Sequence, residues 1–355
     1  MNAFSAFDHA MMRRALALAQ KGLYTTTPNP RVGCVVIRNE KTVGEGWHEK
    51  AGAPHAEARA LERAGAQAAG ATVYVNLEPC NHQGRTPPCV EALKRAKVKR
   101  VVAAMRDPNP PAAGGGAALE AAGIGFEHGL LEDEARELNI GFVSRMTRNR
   151  PWVRLKVAAT LDGRTALSDG TSRWITGAEA RRDGHRWRAR ACAILTGVGT
   201  VRADDPQLTV REIATPRQPL RVIVDSRLET SPAARILEGD KVLVFSAGSG
   251  TLPNAEVVVL PNRNHKVELP RMLEELARRG VNELHVEAGF RLNGSLVREG
   301  CVDEYVLYLN PSLLGDAAQG MFDLSAVEGL EKRPRLKILS LERFGEDLRI
   351  LARPA

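Results

Sequence analysis

The 355-residue chain is long enough for two domains of about 150 residues, each with a sizeable core. Its composition (43% hydrophobic, 26% charged, 5% aromatic) excludes a wholly disordered protein, and no apolar run approaches the roughly 18 residues that cross a bilayer. The 50 basic residues outnumber the 42 acidic ones by +8, a balance that either favours anionic ligands such as phosphates and nucleotides or marks only a mildly basic surface.

The N-terminus lacks a basic start followed by a continuous apolar stretch, so no secretory signal is read there and the expected compartment is the cytoplasm, with no membrane partner. It reads instead as a helix, with Asp8 as N-cap, Gly22 past its end and Met12, Ala15, Leu16 and Ala19 as the buried stripe. A β-branched run at 33–39 and the VGEGW that follows suggest a hairpin. A second helix opens near Pro54 and stops at Gly65. Strand 71–77, loop 78–89, helix 90–98 and strand 99–105 continue an alternation that predicts an α/β sheet layered with helices. Residues 107–116 are rich in Pro and Gly and read as a turn. A helical run over 131–150 then leads to Pro151, beside which the domain boundary is drawn at 147/148. A second α/β series follows, with strands at 152–160, 191–197, 220–226, 241–247, 256–261, 283–289 and 303–310 and a helix over 268–280.

Chemistry concentrates first at His55, Cys80 and Cys89. An imidazole and two thiolates make a three-ligand zinc set with an open fourth position, the arrangement of a catalytic rather than a structural zinc. Glu57 stands two residues from His55, near enough to carry protons without occupying the metal. Both cysteines are read at helix starts, where backbone N–H groups favour the thiolate. A lone His-x-Glu is usually a solvated helix face, but these pieces in this order match the zinc deaminase pattern. The pattern's C-x-x-C is replaced here by two cysteines with eight residues between them. His48 and His82 either border the pocket or, for His82, sit in a loop with no ligand role. Cys34, Cys192 and Cys301 read as core, and the five cysteines are too scattered for a disulfide framework.

In the second half, Gly197-Val198-Gly199 follows a strand, but Arg202 replaces the third glycine of a dinucleotide fingerprint. The run Arg181, Arg182, Arg186, Arg188 and Arg190 suggests either phosphate-backbone contacts or a solvated helix face with one substrate-binding arginine. Few aromatics interleave with it as stacking platforms, so no nucleic-acid partner is expected.

The stretches TTTPNPRVGCVV, GEGWHEKAGAPHAEARAL, YVNLEPCNHQGRTPPC and VAAMRDPNP closely resemble the deaminase half of the bifunctional riboflavin-biosynthesis deaminase/reductase family, which carries the long cysteine spacer. LKVAATLDGRTA, GTSRWITG, RARACAILTGVGTVRADDPQLTVR, LRVIVDSRL and VEAGFRLNGSLVREGCVDEYVLYLNPSLLG resemble its reductase half. Residues from about 230 to 285 and the last 30 match less clearly.

The resemblance implies a cytidine-deaminase-like three-layer α/β domain over 1–147 and a dihydrofolate-reductase-like α/β domain over 148–355. It implies zinc on His55, Cys80 and Cys89, Glu57 as proton shuttle, and hydrolytic deamination of 2,5-diamino-6-(5-phosphoribosylamino)pyrimidin-4-one. NADPH-dependent reduction of the ribosyl chain of 5-amino-6-(5-phosphoribosylamino)uracil to ribityl would follow. Asn29 then either contacts the base or is only a turn residue. Carried over by position, Ala158, Trp174, Thr200, Asp204, Ser226 and Gly289, Phe290, Arg291, Leu292, Asn293, Gly294 and Ser295 would contact NADPH. Ser172, Arg188, Leu208, Arg211 and Glu287 would contact the substrate, with Arg188 and Arg211 able to hold its phosphate by paired N–H bonds. Lys156 is either a proton donor to the sugar or an ordinary lysine. Ala288 stands where the family commonly has glycine. Apolar strands late in the chain point to a homodimer. Two other readings, a single-activity deaminase with a binding module and a non-catalytic nucleotide binder, are disfavoured by the long spacer and by Glu57.

Overall fold

The computed structural model describes residues 4–84, 87–240, 242–324, 326 and 328–355; Arg85 and Thr86 of the predicted loop and Lys241 of a predicted strand lie outside them. The chain divides into two compact units, Met1–Arg148 and Asn149–Ala355.

The first unit runs α1 (Ala6–Gln20), β1 (Gly33–Arg38), β2 (Lys41–Trp47), α2 (Ala56–Ala64), β3 (Thr72–Leu77), α3 (Cys89–Arg95), β4 (Arg100–Met105), α4 (Gly115–Ala121), β5 (Gly125–His128), α5 (Glu132–Leu138) and α6 (Ile140–Arg148). Its five-stranded sheet is ordered β2-β1-β3-β4-β5, antiparallel at β2/β1 and β1/β3 and parallel beyond. Helices α1 and α5 pack on one face and α2 and α3 on the other, giving three layers. Small residues permit the close approach. A Cβ on Gly33 would meet the Ala15 carbonyl at 2.1 Å, and one on Gly46 would meet the Ala56 carbonyl at 2.5 Å. The second contact presses β2 against the first turn of α2, which carries His55 and Glu57.

The N-cap of α1 is Ser5, not Asp8. Asp8 is the fourth residue of a capping box with Ser5, and its buried carboxylate also takes the Tyr74 hydroxyl at 2.7 Å and Arg100 at 2.7 Å. The expected turn at 107–116 is cut short, because Gly114 at φ 87° caps α4, which starts inside the glycine run. A side chain at Gly115 would sit 1.9 Å from the Pro79 carbonyl, so only glycine lets α4 begin against the loop that carries Cys80.

The second unit runs β6 (Trp152–Thr160), β7 (Arg164–Ala166), α7 (Ala178–Arg190), β8 (Ala193–Gly197), α8 (Val198–Asp204), β9 (Leu220–Val224), β10 (Val242–Ser246), β11 (Ala255–Val259), α9 (Leu269–Arg278), β12 (Glu283–Val286), α10 (Phe290–Arg298), β13 (Glu304–Asn310), β14 (Gln319–Gly320), β15 (Leu336–Phe344) and β16 (Asp347–Pro354). Nine strands form one sheet, ordered β11-β10-β9-β8-β12-β6-β13-β16-β15. The seven from β11 to β13 are parallel, and β8, β10 and β12 are buried along their whole length, as strands covered on both faces must be. From β8 the chain turns to β9 on one side, and from β12 it passes by α10 to β13 on the other. That divergence opens a crevice beyond the carboxyl ends of β8 and β12. At the opposite end of these strands Arg154 is buried between Glu283 and Glu304, which also take Arg190 and Arg353.

A metal-donor cluster and a cofactor cleft as candidate active sites

Residues 25 and 34 positions apart in sequence converge in the first unit. His55 is the N-cap of α2, Cys80 lies in the loop after β3, and Cys89 opens α3. Only Cys89 thus stands at a helix start. The His55 Nδ1 is 3.3 Å from Cys89 Sγ and 3.6 Å from Cys80 Sγ, and the three donor atoms lie within 4.8 Å of one another. A tetrahedral zinc with ordinary Zn–S and Zn–N bonds requires N···S separations of about 3.6 Å and an S···S separation of about 3.8 Å. Both N···S distances are close to that geometry, so the donor set fits zinc. Hydrogen bonds from Cys89 and His55 draw the Cys80 thiol down to about 4, whereas the same bond to Cys80 and burial hold Cys89 up.

Glu57, in the first turn of α2, is 4% exposed, and burial pushes its carboxyl up to about 7. A carboxyl poised near neutrality can accept and return a proton. His48 donates from Nδ1 to the Pro54 carbonyl at 3.2 Å, so its Nε2 is left to accept from the Asn29 amide at 3.0 Å. Burial keeps His48 below its ordinary value, which agrees with that neutral tautomer. Asn29 therefore stands beside the donor cluster rather than only in a turn, because the His48 ring lies 5.4 Å from that of His55. Among the described residues His82 is not part of the donor cluster, and Cys34 is fully buried in the core.

Sequence reasoning missed Glu78. Its buried carboxylate accepts from Gly116 N at 2.8 Å and Asp107 N at 3.1 Å, tying the ends of β3 and β4 and the start of α4 around Cys80. Burial and the charge of Glu78 raise the neighbouring Asp107 to about 6. An acid beside a Pro-Cys pair, with a glycine triplet downstream, is the signal that could have shown this.

The second unit holds a cleft of about 1120 Å³ at the divergence beyond β8 and β12. Lys156, Ala158, Ser172, Trp174, Arg188, Thr200, Asp204, Leu208, Arg211, Glu287, Gly289, Phe290, Arg291, Leu292 and Asn293 line it. Ser226, Gly294 and Ser295 do not. The Ser226 hydroxyl accepts from Val267 N, a Cβ on Gly294 would meet Asp323 backbone at 2.1 Å, and the Ser295 hydroxyl donates to its own helix. Gly197 and Gly289 begin the turns into α8 and α10, and a Cβ at Gly289 would touch the Thr200 hydroxyl at 3.4 Å. Two glycine-led helix starts thus meet at one end of the cleft, a cradle suited to a pyrophosphate.

At the other wall Glu287 binds the Arg188 guanidinium by two bonds of 2.5 and 2.8 Å, and Arg188 also donates to the Thr209 carbonyl at 3.1 Å. Against the cost of burial, Arg188 holds Glu287 well below the usual carboxylate range. Both edges of Arg188 are therefore engaged, which differs from the phosphate grip read for it in the sequence. Lys156 is half-buried on β6, its Nζ 5.8 Å from the Tyr308 ring centre, and burial lowers it. His185, also missed, is driven down to about 4 by burial and the nearby Arg188, and its Nδ1 accepts from Arg211 N at 3.3 Å. Of the other α7 arginines, Arg182 is exposed and three are engaged. Arg190 binds Glu283, Arg186 lies 3.7 Å from Asp183, and Arg181 covers the Trp174 ring at 4.7 Å.

Comparison with known proteins follows the same division. Residues 5–105 match the cytidine and deoxycytidylate deaminase zinc-binding region, and residues 151–350 match the RibD C-terminal domain. The fold and its two sites thus define a zinc-dependent deaminase joined to an NADPH-dependent reductase in one chain. Over 96% of its length the chain is 44% identical to the riboflavin biosynthesis protein RibD of Escherichia coli, covering 98% of that protein. It is 46% identical to the RibD of Haemophilus influenzae, with 99% and 98% of the two chains aligned. Among solved structures, RibD of Acinetobacter baumannii superposes with a TM-score of 0.92 at 43% identity, covering 98% of this chain and 99% of that one. A diaminohydroxyphosphoribosylaminopyrimidine deaminase/5-amino-6-(5-phosphoribosylamino)uracil reductase of Thermotoga maritima superposes at 0.90 with 32% identity and the same coverage. The chain belongs to the RibD family of bifunctional riboflavin-biosynthesis enzymes.

Proposed function

We propose that residues 1–147 deaminate 2,5-diamino-6-(5-phosphoribosylamino)pyrimidin-4-one and that residues 148–355 reduce the product, 5-amino-6-(5-phosphoribosylamino)uracil, to its ribityl form. The observation that carries the first step is the donor cluster of His55, Cys80 and Cys89 beside the buried Glu57. Those three residues hold the zinc, which when bound supplies a Lewis acid that makes water a nucleophile near neutral pH. Glu57 would accept a proton from the attacking water and return it to the departing nitrogen, for which a carboxyl at about 7 is matched. Asn29, its amide held by His48, turns its remaining carbonyl oxygen to the pyrimidine.

In the reductase cleft, Ala158, Trp174, Thr200, Asp204 and Gly289, Phe290, Arg291, Leu292 and Asn293 would hold NADPH, which would supply a hydride for the sugar carbon. Ser226, Gly294 and Ser295, engaged outside the cleft, support the surrounding backbone. Ser172, Leu208, Arg211 and the Arg188–Glu287 pair orient the substrate. Lys156, lowered by burial and adjacent to Glu287, donates the proton that balances the hydride.

The chain acts as a homodimer in the cytoplasm. Ile338 and Leu341 are each 58% exposed on β15, the outer strand of the nine-stranded sheet, and an apolar open edge is a surface for a second copy. Among the described residues the five cysteines form no disulfide, which suits a reducing compartment, and no helix is long and apolar enough to cross a membrane. Light scattering tests the dimer. Assays of the two half-reactions on one preparation, with the zinc removed and then restored, test the chemistry. Deamination should stop and return with the metal, while reduction of supplied product continues throughout.

A further inference from the structure

Seven arginines border the reductase cleft, and most are already committed. Arg188 is bound by Glu287, Arg202 reaches Glu229 at 3.0 Å, Arg173 lies 3.7 Å from Asp204, and Arg181 donates to the Thr176 carbonyl. Arg291, in the first turn of α10, has no side-chain partner among the described residues and lies on the cofactor side, whereas Arg211 and Arg235 stand on the other wall. Arg211 makes a single side-chain bond, to the Thr209 hydroxyl at 3.0 Å. Among the described residues the Arg235 guanidinium has no hydrogen-bond or ion-pair partner, although its backbone is firmly held. Arg235 N donates to Asp205 Oδ1 at 2.8 Å, and the buried Arg221 takes the carbonyls of Ile236 and Glu238 at 2.7 and 2.6 Å. Ile236 and Leu237 pack in one apolar cluster with Leu208, so the loops bearing Arg211 and Arg235 share an anchor.

Both residues are exposed to the cleft, where their positive field stands open unless an anion fills the space. Two such cations facing one cleft repel each other until one does. Burial, then the charge of Arg188 and then that of Arg235 lower Arg211, and Glu212 softens that field without an ion pair to Arg211 or Arg235 among the described residues. We propose that Arg235 and Arg211 together grip the terminal phosphate of the reductase substrate, with Arg188 retained by Glu287 as a positioning residue. Arg211 marks the substrate side, because its own N–H bonds His185 on the α7 wall that carries Arg188. The glycine-led starts of α8 and α10 belong to the cofactor side. Planar guanidinium groups suit the dianionic phosphoryl group, which offers three oxygens. This assignment rests on the proposed reductase substrate and adds to it a residue that the family resemblance did not supply.

The test is steady-state reduction of the phosphorylated substrate and of its dephosphorylated nucleoside analogue by the wild-type chain, R211A, R235A and R235E, with KM for NADPH measured in each. R235A should raise KM for the phosphorylated substrate about tenfold, the order of one charge-assisted bond, and R235E should raise it further. Neither change should separate the variants on the dephosphorylated analogue or move KM for NADPH. Equal losses on both substrates, or no ranking of Glu below Ala, would mean that Arg235 acts only through the fold and would overturn the assignment. A shift confined to KM for NADPH would place a cofactor phosphate there instead. A wild-type enzyme indifferent to the substrate's phosphate would contradict the proposed substrate itself and take the assignment with it.

Discussion

The two units solve unlike problems with unlike material. In the first, a few side chains of fixed chemistry converge within 4.8 Å, and the backbone around them is shaped to bring them there. In the second, a cleft of about 1120 Å³ is framed largely by glycine turns and helix starts, and its ionic side chains are mostly neutralised against one another. A metal site depends on the identity of its donors, so losing one donor removes the function. A dinucleotide cleft depends on backbone shape distributed over many residues, so single losses are graded.

The largest effect expected from that contrast is at Cys80. Cys80→Ala should abolish zinc binding, measured by metal analysis, and lower deamination by more than about 10³-fold, while reduction proceeds at the wild-type rate. A parallel loss of reduction would show that the two sites are not separable. Next is Glu57→Gln, which should retain zinc and slow deamination about 10²- to 10⁴-fold, the range of a lost general acid–base. Zinc lost as fully as in the Cys80 variant would make Glu57 a ligand instead.

In the second unit the most sensitive single position is Glu287, tested by Glu287→Gln. The substitution leaves the half-buried Arg188 without its carboxylate, and breaking such a pair costs about 3–5 kcal/mol. Reductase kcat/KM should fall about 10²-fold and the second unit should melt earlier, with deamination unaffected below that temperature. Wild-type melting would show that the pair holds only the substrate.

The smallest effect concerns acid stability. His185 titrates at about 4 in the fold against an ordinary 6.5, so between those values the unfolded chain binds the extra proton. Its contribution to the second unit is complete above about 6.5, declines as the pH falls through that window and is gone below about 4. His185→Gln should flatten the dependence of the denaturation midpoint across that range, followed by loss of reductase activity. An unchanged slope would assign the acid sensitivity to other groups.

The same contrast governs how much could be read from residues alone. His55, Glu57, Cys80 and Cys89 were legible because few other roles suit that set in that order. The buried strands were legible from their β-branched runs. Partnerships across the sequence were not. Asp8 resembles a cap, but its carboxylate also answers Arg100, which lies 92 residues on. Arg188 resembles a phosphate grip, but Glu287, 99 residues away, takes its fork. The glycine run at 114–116 resembles a flexible turn because nothing local shows that Pro79 presses against it. Strand β15 went unread for a related reason: at the sheet edge it is exposed along nearly its whole length, so no buried face marks it, and β16 is held between β13 and β15 by pairings that no local signal shows. Ser226 follows a strand that ends beside the cleft, yet its hydroxyl is engaged by Val267 N.

One chain carries both activities on one pyrimidine. That is tested most directly by the mass of the product after the zinc-loaded protein meets 2,5-diamino-6-(5-phosphoribosylamino)pyrimidin-4-one, with and without NADPH. Without NADPH the predicted product has exchanged one amino group for oxygen and nothing more; with NADPH it has also gained two hydrogens. Deamination with no consumption of NADPH would contradict the reductase assignment, and hydrogen gain without loss of the amino group would contradict the order of the two steps.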